Sequence, residues 1–316
     1  MEVIQVFDRP ASQGFYSVAG RLLFIESIEL ELRNLIVDLF AGWQLTPVSL
    51  PDRSPDIRIS FSCTAESPRI PRQLDQFEVA EGGICYTGGS ELYLELGDAV
   101  VHLESESSVR VSFSELPRVG NPLPGRAASF AVCAALRRYG LFDMHSAGVV
   151  ESGRGVLIIG PSGSGKSTLA LELVKAGWSY LSDDELLLSL VDGVVEARGF
   201  RSFFAVSEAG AAFKHCFEPE TVFGSRRTEQ APPRLLLFSR LNGSARSELS
   251  SLTQAETMTR LLRACPWATY DRAVAGDNLE LLSTLARQAC SFDLSAGRDL
   301  LNPGLAASLL SGALRS

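Results

Sequence analysis

The sequence lacks several features that would assign it to common protein classes. It has six cysteines, but no two of them form a Cys-x-x-Cys pair, and they lie far apart at positions 63, 85, 133, 216, 265 and 290. This spacing argues against a zinc site or a disulfide framework and predicts that most of the cysteines are buried as small apolar side chains. No internal repeat or low-complexity segment is present.

Segments that target or anchor a protein are also missing. The N-terminus, Met-Glu-Val-Ile-Gln, has neither the basic start nor the apolar run of a secretory signal. No stretch approaches the roughly eighteen uncharged apolar residues that a membrane-spanning helix needs. The sequence therefore predicts a cytoplasmic protein with no membrane partner.

An excess of positive charge is absent as well. The formal net charge is −8 and the sequence pI is about 5.1, so the chain is not expected to attract nucleic acid. Hydrophobic residues make up 46% of the 316 positions, which is sufficient for a sizeable core. A chain of this length is expected to form two domains.

The first part of the chain, residues 1–121, has the pattern of an α+β domain. Residues 14–25, 91–96 and 99–103 predict strands, with Gly-Gly and Gly-Asp turn signals between them. Residues 28–40 carry apolar positions at helical spacing and predict one helix. We expect this domain either to recognise the molecule on which the second domain acts, or only to pack against the second domain or make an oligomer contact.

A segment rich in proline and glycine, residues 117–125, predicts the boundary to a second domain at 122–316. A helix over 126–138 is expected to lead into that domain.

A complete phosphate-binding loop follows a short apolar strand predicted over 155–159. Its glycines allow backbone N–H groups to approach an anion closely, and a helix predicted over 167–176 directs the positive end of its dipole at the same place. Lysine supplies a charge that reaches the β- and γ-phosphates, and the serine after it supplies a hydroxyl for Mg²⁺. The predicted nucleotide-binding residues are Gly160, Pro161, Ser162, Gly163, Ser164, Gly165, Lys166, Ser167 and Thr168.

Paired aspartates end the next predicted strand, which covers 178–182. In a parallel sheet, Asp183 and Asp184 would lie at the carboxyl edge beside the phosphate loop. One carboxylate could hold Mg²⁺ while the other accepts a proton from an attacking hydroxyl. The alternative is a solvated turn. His145, near the end of a strand predicted over 142–150, is either a structural residue or a neighbour that tunes a carboxylate.

The stretch from His145 to Leu188 resembles the catalytic domain of HPr kinase/phosphorylase and its related kinases, a fold shared with phosphoenolpyruvate carboxykinase. The resemblance implies that Asp183 is the general base toward a serine hydroxyl, that Asp184 binds Mg²⁺, and that His145 lies beside the base. It also makes Arg201, after a hairpin predicted to turn at Asp192-Gly193, a candidate for stabilising the transferred charge; a solvated arginine is the alternative. Thr168 stands where phosphorylase-competent members carry Glu, so reverse phosphorolysis is not expected.

The sequence thus predicts an α/β phosphate-loop kinase domain of HPr-kinase type after an N-terminal α+β domain. ATP and Mg²⁺ would be its cofactors, and the acceptor would be a hydroxyl, either serine of a peptide or protein or a small molecule. A nucleotide-binding switch without catalysis is a further alternative. A homo-oligomer is compatible with the sequence, which does not fix the number of copies. An ABC-type ATPase is disfavoured because residues 294–298, a loose match to its signature, stand near the C-terminus and do not precede a short apolar strand that ends in Asp-Glu. We expect these residues to be a loop before a closing helix at 303–314.

Overall fold

The computed structural model of the chain describes residues 14–27, 29–40, 42–49, 51–64, 68–79, 82–118, 120–207, 214–217, 224 and 226–315. Contacts divide the chain into two compact units, one of Met1–Tyr139 with Tyr270–Val274 and one of Gly140–Thr269 with Ala275–Ser316. The chain therefore divides after Tyr139, whereas the composition predicts a boundary at residue 122. The helix that follows the proline-rich segment packs on strands of the first unit.

The first unit is built on a nine-stranded sheet with the strand order β3-β1-β2-β4-β9-β8-β7-β6-β5. Strands β2, β4 and β9 run parallel to one another, and the other neighbours are antiparallel. The strands are β1 (Gly14–Val18), β2 (Arg21–Ser27), β3 (Thr46–Val48), β4 (Ile57–Cys63), β5 (Asp75–Val79), β6 (Gly83–Gly88), β7 (Glu91–Leu96), β8 (Ala99–Ser105) and β9 (Ser108–Phe113).

Two helices cover one face of this sheet, α1 (Leu30–Phe40) and α2 (Leu123–Arg137). Alternating strand residues such as Ile59 and Val109 are fully buried beneath them. Ala127, Ala128 and Ala131 of α2 are also fully buried, and such small side chains let the helix approach the sheet closely. The predicted mixture of strands with one interrupting helix agrees with this unit, although α2 joins it.

The second unit contains a six-stranded mixed sheet, ordered β13-β11-β12-β19-β21-β20, and a four-stranded sheet, ordered β10-β14-β15-β18. A separate pair joins β16 and β17. The strands are β10 (Phe142–Met144), β11 (Ser146–Glu151), β12 (Arg154–Ile159), β13 (Ser179–Ser182), β14 (Leu186–Val191), β15 (Val194–Gly199), β16 (Phe204–Ser207), β17 (Lys214–Phe217), β18 (Gln230–Ala231), β19 (Pro233–Leu241), β20 (Glu248–Ser251) and β21 (Cys290–Ala296).

The helices of the second unit pack around these sheets. Helix α3 and helix α7 share one apolar cluster with β12, β19 and β21, in which Leu173, Leu237 and Leu310 are fully buried. The helices are α3 (Lys166–Lys175), α4 (Gln254–Ala264), α5 (Trp267–Tyr270), α6 (Ala275–Gln288) and α7 (Pro303–Ala313), with a 3₁₀ turn at Arg298–Leu301. In the described part of the chain, no helix combines the length and apolarity needed to cross a bilayer.

Three strand predictions need correction in the second unit. The strand predicted over 142–150 is divided at His145 into β10 and β11, which belong to different sheets. The sheet around β12 is mixed, because β12 is parallel to β19 and antiparallel to β11. Residues 294–296, predicted as a loop, complete β21.

The predicted hairpin is confirmed. Strands β14 and β15 pair from Leu186↔Gly199 to Val191↔Val194, and the turn residues Asp192 and Gly193 have φ of 50° and 77°. Of the cysteines that can be assessed, Cys85, Cys133 and Cys265 are buried, Cys63 is half-buried and Cys290 is exposed. The expectation of mostly buried thiols therefore holds for three of these five.

Candidate active site

The phosphate loop joins the end of β12 to the start of α3. Gly163 and Gly165 have φ of 80° and 86°, in the left-handed region where a side chain would strain the backbone. Gly165 is also the N-cap of α3, so the unpaired amides of the first helical turn lie at the end of the loop. A sequence without glycine at these two positions could not form this turn without strain.

Close packing holds the loop from behind. A Cβ atom added to Gly160 would lie 2.5 Å from the carbonyl oxygen of Ser239, at the end of β19. The hydroxyl of Ser239 donates to the carbonyl of Ser164 over 3.0 Å. The hydroxyl of Ser164 is buried and has no hydrogen-bond partner among the described residues. The loop is thus fixed to β19 and retains a buried polar atom that a bound group could satisfy.

Lys166 is the cation of the loop, and its side chain is nearly buried, with 6% exposed. Its ammonium donates to the carbonyl oxygens of Gly160 over 2.8 Å and Pro161 over 3.1 Å. The charge is therefore held within the loop by neutral carbonyl groups. A cation in this position of the loop can form charge-assisted hydrogen bonds with a phosphate group.

The sheet brings the loop and the paired aspartates to the same edge. Strand β11 lies between β12 and β13 and is antiparallel to both, with Ser146 opposite Ile159 and Gly148 opposite Ser182. The carboxyl ends of β12 and β13 therefore meet at the amino end of β11. His145 immediately precedes this end, so the predicted loop, histidine and aspartates lie along one edge.

The two aspartates differ sharply in exposure. The Asp183 side chain is buried, with 1% exposed, whereas the Asp184 side chain is 51% exposed. Asp184 has a φ of 69°, a conformation that aspartate tolerates better than most residues. Its Oδ1 lies 3.3 Å from Nδ1 of His145. The resemblance implies a histidine beside Asp183; the contact measured for His145 is the one with Asp184.

Ser182, which the sequence does not single out, organises the turn that holds the aspartates. Its fully buried hydroxyl donates to the carbonyl of Glu185 over 2.6 Å. The same oxygen accepts from the backbone N–H groups of Phe200 and Arg201, at 3.1 and 2.9 Å. The chain after β15 is thereby tied to the aspartate turn.

Arg201 forms a salt bridge at this turn. Its guanidinium lies 2.7 Å from a carboxylate oxygen of Glu185, and both side chains are mostly buried, at 15% and 14% exposed. Glu185 is a second residue that the sequence does not single out, although it directly follows the aspartate pair. The bridge means that Arg201 is not the solvated arginine of the alternative interpretation.

The other predicted residues of the loop take less buried positions. Pro161 and Ser162 are exposed, and Ser167 and Thr168 are half-buried in the first turn of α3. The positive-φ glycines, the Ser164 hydroxyl and the Lys166 ammonium suit a phosphate group. The Ser167 hydroxyl and the Asp184 carboxylate are oxygen donors of the type that Mg²⁺ prefers.

Comparison with known proteins gives little further information. Neither a scan against protein-family models nor a search of curated proteins finds a match. Among solved structures, the Hpr(Ser) kinase/phosphatase from Coxiella burnetii is similar at 13% sequence identity and a TM-score of 0.33, over 55% of this chain and 97% of that chain. This is a remote structural similarity, and a TM-score this low carries no argument about function.

Proposed function

We propose that the chain is an ATP-dependent kinase that transfers the γ-phosphate to a hydroxyl, with serine of a peptide or protein as the acceptor. One observation carries the proposal: the phosphate loop and an exposed carboxylate in contact with a histidine lie along the same edge of one sheet. Phosphoryl transfer to an alcohol requires a phosphate cradle and a nearby proton acceptor, and a pure nucleotide binder needs only the first.

In the proposed reaction, the acceptor oxygen bonds to the γ-phosphorus, the bond from that phosphorus to the β–γ bridging oxygen breaks, and ADP leaves. The loop amides and Lys166 bind the phosphates. Ser167 and one aspartate would hold Mg²⁺, which neutralises developing charge when bound. The other aspartate takes the hydroxyl proton.

The different exposed fractions of the two aspartate side chains support different catalytic roles for them. A general base must come within hydrogen-bond distance of the hydroxyl that it deprotonates. Asp184 is half exposed and contacts His145, whereas Asp183 is almost wholly buried. We therefore propose Asp184 as the base and Asp183 as the group that orients or binds the metal, the reverse of the order implied by the resemblance.

The salt bridge with Glu185 supports a positioning role for Arg201. Its backbone N–H bonds to Ser182 and its guanidinium to Glu185, so it fixes the turn that carries both aspartates. Direct stabilisation of the transferred charge would require the guanidinium to leave a mostly buried carboxylate, which is costly.

The Lys166→Ala variant tests the proposal. We expect it to lose transfer of ³²P from ATP to a serine-containing peptide library, because the charge facing the β- and γ-phosphates is removed. Lys175→Ala is the matched control: Lys175 lies at the other end of α3, where it pairs with Glu172 over 2.6 Å, and its loss should leave transfer unchanged.

The same assay separates the alternatives. Transfer to small hydroxyl compounds but not to peptides would assign a small-molecule kinase. Binding of Mg·ATP without transfer or hydrolysis by the parent chain would assign a switch. Undiminished transfer by Lys166→Ala would contradict the assignment of the loop.

A further inference from the structure

A cleft of about 950 Å³ opens in the first unit, and none of the residues that line it belongs to the proposed active site. It lies toward the carboxyl ends of the three parallel strands β2, β4 and β9, the part of a parallel sheet where ligands commonly bind. Its volume is within the usual range of small-molecule sites, about 300–1,000 Å³. Residues at its wall include Glu26, Ser60, Ser62, Arg69, Arg110 and Ser112.

Strand register sets the polar side chains of this cleft side by side. Ser60 is opposite both Glu26 and Arg110, and Ser62 is opposite Ser112. Residues opposite one another in a sheet point to the same face. Ile59 and Phe61, which alternate with the serines, are buried on the other face, the one covered by α1 and α2. The serines therefore line the opposite face of the sheet, away from α1 and α2.

The hydroxyls of this cleft are available to a ligand. Ser60, Ser62 and Ser112 make no side-chain hydrogen bond to any residue that the structure describes, and Ser112 is only 4% exposed. A serine hydroxyl in a strand interior contributes little to packing, and buried polar groups are normally paired. Three such hydroxyls on adjacent strands are the donors expected around a polar ligand.

The residues that line the cleft include two arginines, Arg69 and Arg110, and one carboxylate, Glu26, although the chain has a net charge of −8. The nearby carboxylate of Glu29 accepts hydrogen bonds from the Ser27 hydroxyl and the Cys63 N–H, and Arg69 is exposed. Glu26 is paired with Arg58 at 3.1 Å, and Arg110 lies 2.7 Å from Glu104. Exposed ion pairs of this kind are weak, so an anion can compete for Arg110.

We propose that this cleft is a binding site for a small ligand that carries an oxyanion, either a phosphate or a carboxylate. Guanidinium groups recognise both anions through paired N–H donors, and the serine hydroxyls supply further donors to their oxygens. Its residues are different from those of the phosphate loop, and the proposed binding does not rest on the proposed kinase activity.

Backbone amide NMR on the full chain tests the site locally. Inorganic phosphate and succinate are the two probes, titrated separately. We expect at least one of them to cause saturable shifts in the amide resonances of Ser60, Ser62 and Ser112. Resonances of Gly163 and Gly165 report separately on phosphate bound at the loop. A response to phosphate alone, to succinate alone or to both would identify the anion class.

Variants then assign the response to the cleft. Combining Ser62→Ala with Arg110→Gln should raise the dissociation constant of the anion at least tenfold. Arg69→Gln, at an exposed residue, should raise it by a smaller factor. Arg53→Gln is the matched control: Arg53 is 52% exposed and paired with Asp56 outside the cleft, and its loss should change nothing. Absence of saturable shifts at the three serines with both probes would overturn the proposal, as would equal affinity in all of the variants.

Discussion

At the scale of single residues, backbone conformation separates two neighbouring aspartates that are chemically identical. Asp184 has a left-handed conformation and its exposed side chain contacts His145, whereas Asp183, directly after the end of β13, is buried. The Asp-Asp sequence by itself predicts neither the left-handed conformation nor the difference in burial. This difference makes the two residues separable by substitution, because asparagine tolerates positive φ about as well as aspartate does.

We expect Asp184→Asn to slow transfer by about 10²–10⁴ while Mg·ATP binding persists, since it removes the proposed base without disturbing the turn. Asp183→Asn should instead weaken the metal-dependent part of ATP binding, measured by calorimetry with and without Mg²⁺. Asp192→Asn is a matched control, because Asp192 also has positive φ but lies in the β14–β15 turn. If both aspartate variants transferred phosphate at the parent rate and bound Mg·ATP with the parent affinity, the two aspartates would have only a structural role.

The sequence predicts some residues of this site better than others for a physical reason. The loop from Gly160 to Ser167 is a continuous motif whose chemistry follows from its own residues. Ser239 supports Ser164 from 75 positions away, and Ser182 binds Arg201 from 19 positions away. Such contacts depend on strand pairing, and no local pattern at Ser182 or Ser239 distinguishes them from surface serines.

At the scale of elements, the apolar run of β12 correctly predicts a buried strand but not its neighbours. A strand covered on both faces has the same composition whether its partners are parallel or antiparallel. The antiparallel β11 follows from the turn at Ser152 and Gly153, both with positive φ, which joins β11 to β12 as a hairpin. The loop and the aspartates nevertheless share one edge of the sheet, as the sequence predicts, because β12 and β13 point the same way.

The connection between β19 and β20 borders the phosphate loop and is fixed by one carboxylate. Leu241, at the end of β19, would lie 3.1 Å from a Cβ atom on Gly165. Beyond it, the hydroxyl and amide of Ser247 donate to Asp299 at 2.5 and 3.0 Å. Partial burial alone would raise the pKa of Asp299, but these hydrogen bonds outweigh it and hold the pKa below the ordinary value of 3.8.

This lowered pKa predicts a pH-dependent contribution to stability. A carboxylate with a depressed pKa stabilises the fold above its unfolded value and loses that effect as the pH falls through the folded value. The gap in unfolding free energy between the parent and Asp299→Asn should therefore be largest near neutral pH and shrink below about pH 3.8. Urea unfolding at several pH values measures this difference in unfolding free energy. When Ser247→Ala is present in both proteins, the difference caused by Asp299→Asn should be smaller. A gap that is constant with pH would contradict this contribution.

At the scale of the whole molecule, the chain leaves the second unit at Tyr270 and returns after Val274. The short segment brings Asp271 to the end of α2, where both of its carboxylate oxygens accept from Arg138 at 2.9 Å. Arg137 lies 3.9 Å away, and all three side chains are at most 4% exposed. Nearby Cys85 is also fully buried, and this burial raises the pKa of its thiol to about 12.

Removing this buried carboxylate should be costly. We expect Asp271→Asn to lower the unfolding free energy by about 3–5 kcal/mol, because Arg137 and Arg138 would remain buried without their counter-charge. Asp75→Asn is the matched control, since Asp75 pairs with Arg272 of the same segment but both side chains are more than half exposed. The control should cost at most about 1 kcal/mol in chemical denaturation. Equal losses would show that the buried cluster has no special role.

Recognition of the acceptor by the N-terminal region stays a prediction. The division of the chain after Tyr139 affects how that prediction should be tested. A fragment beginning at residue 122 would carry α2 without the strands β8 and β9 on which it packs. The buried alanines of α2 would then be exposed, and lost activity could reflect poor folding instead of lost recognition. Substitutions in the intact chain avoid this difficulty.

The position of Asp271 also has a consequence for biosynthesis. Arg138 and Asp271 are 133 positions apart. During translation, Arg137 and Arg138 at the end of α2 therefore emerge from the ribosome long before Asp271 is synthesised. Until then, the nascent first unit has two guanidinium groups that must remain in water or keep the end of α2 undocked. We therefore expect the first unit to complete its folding only after Val274 has emerged from the ribosome. By then, much of the second unit has already left the exit tunnel.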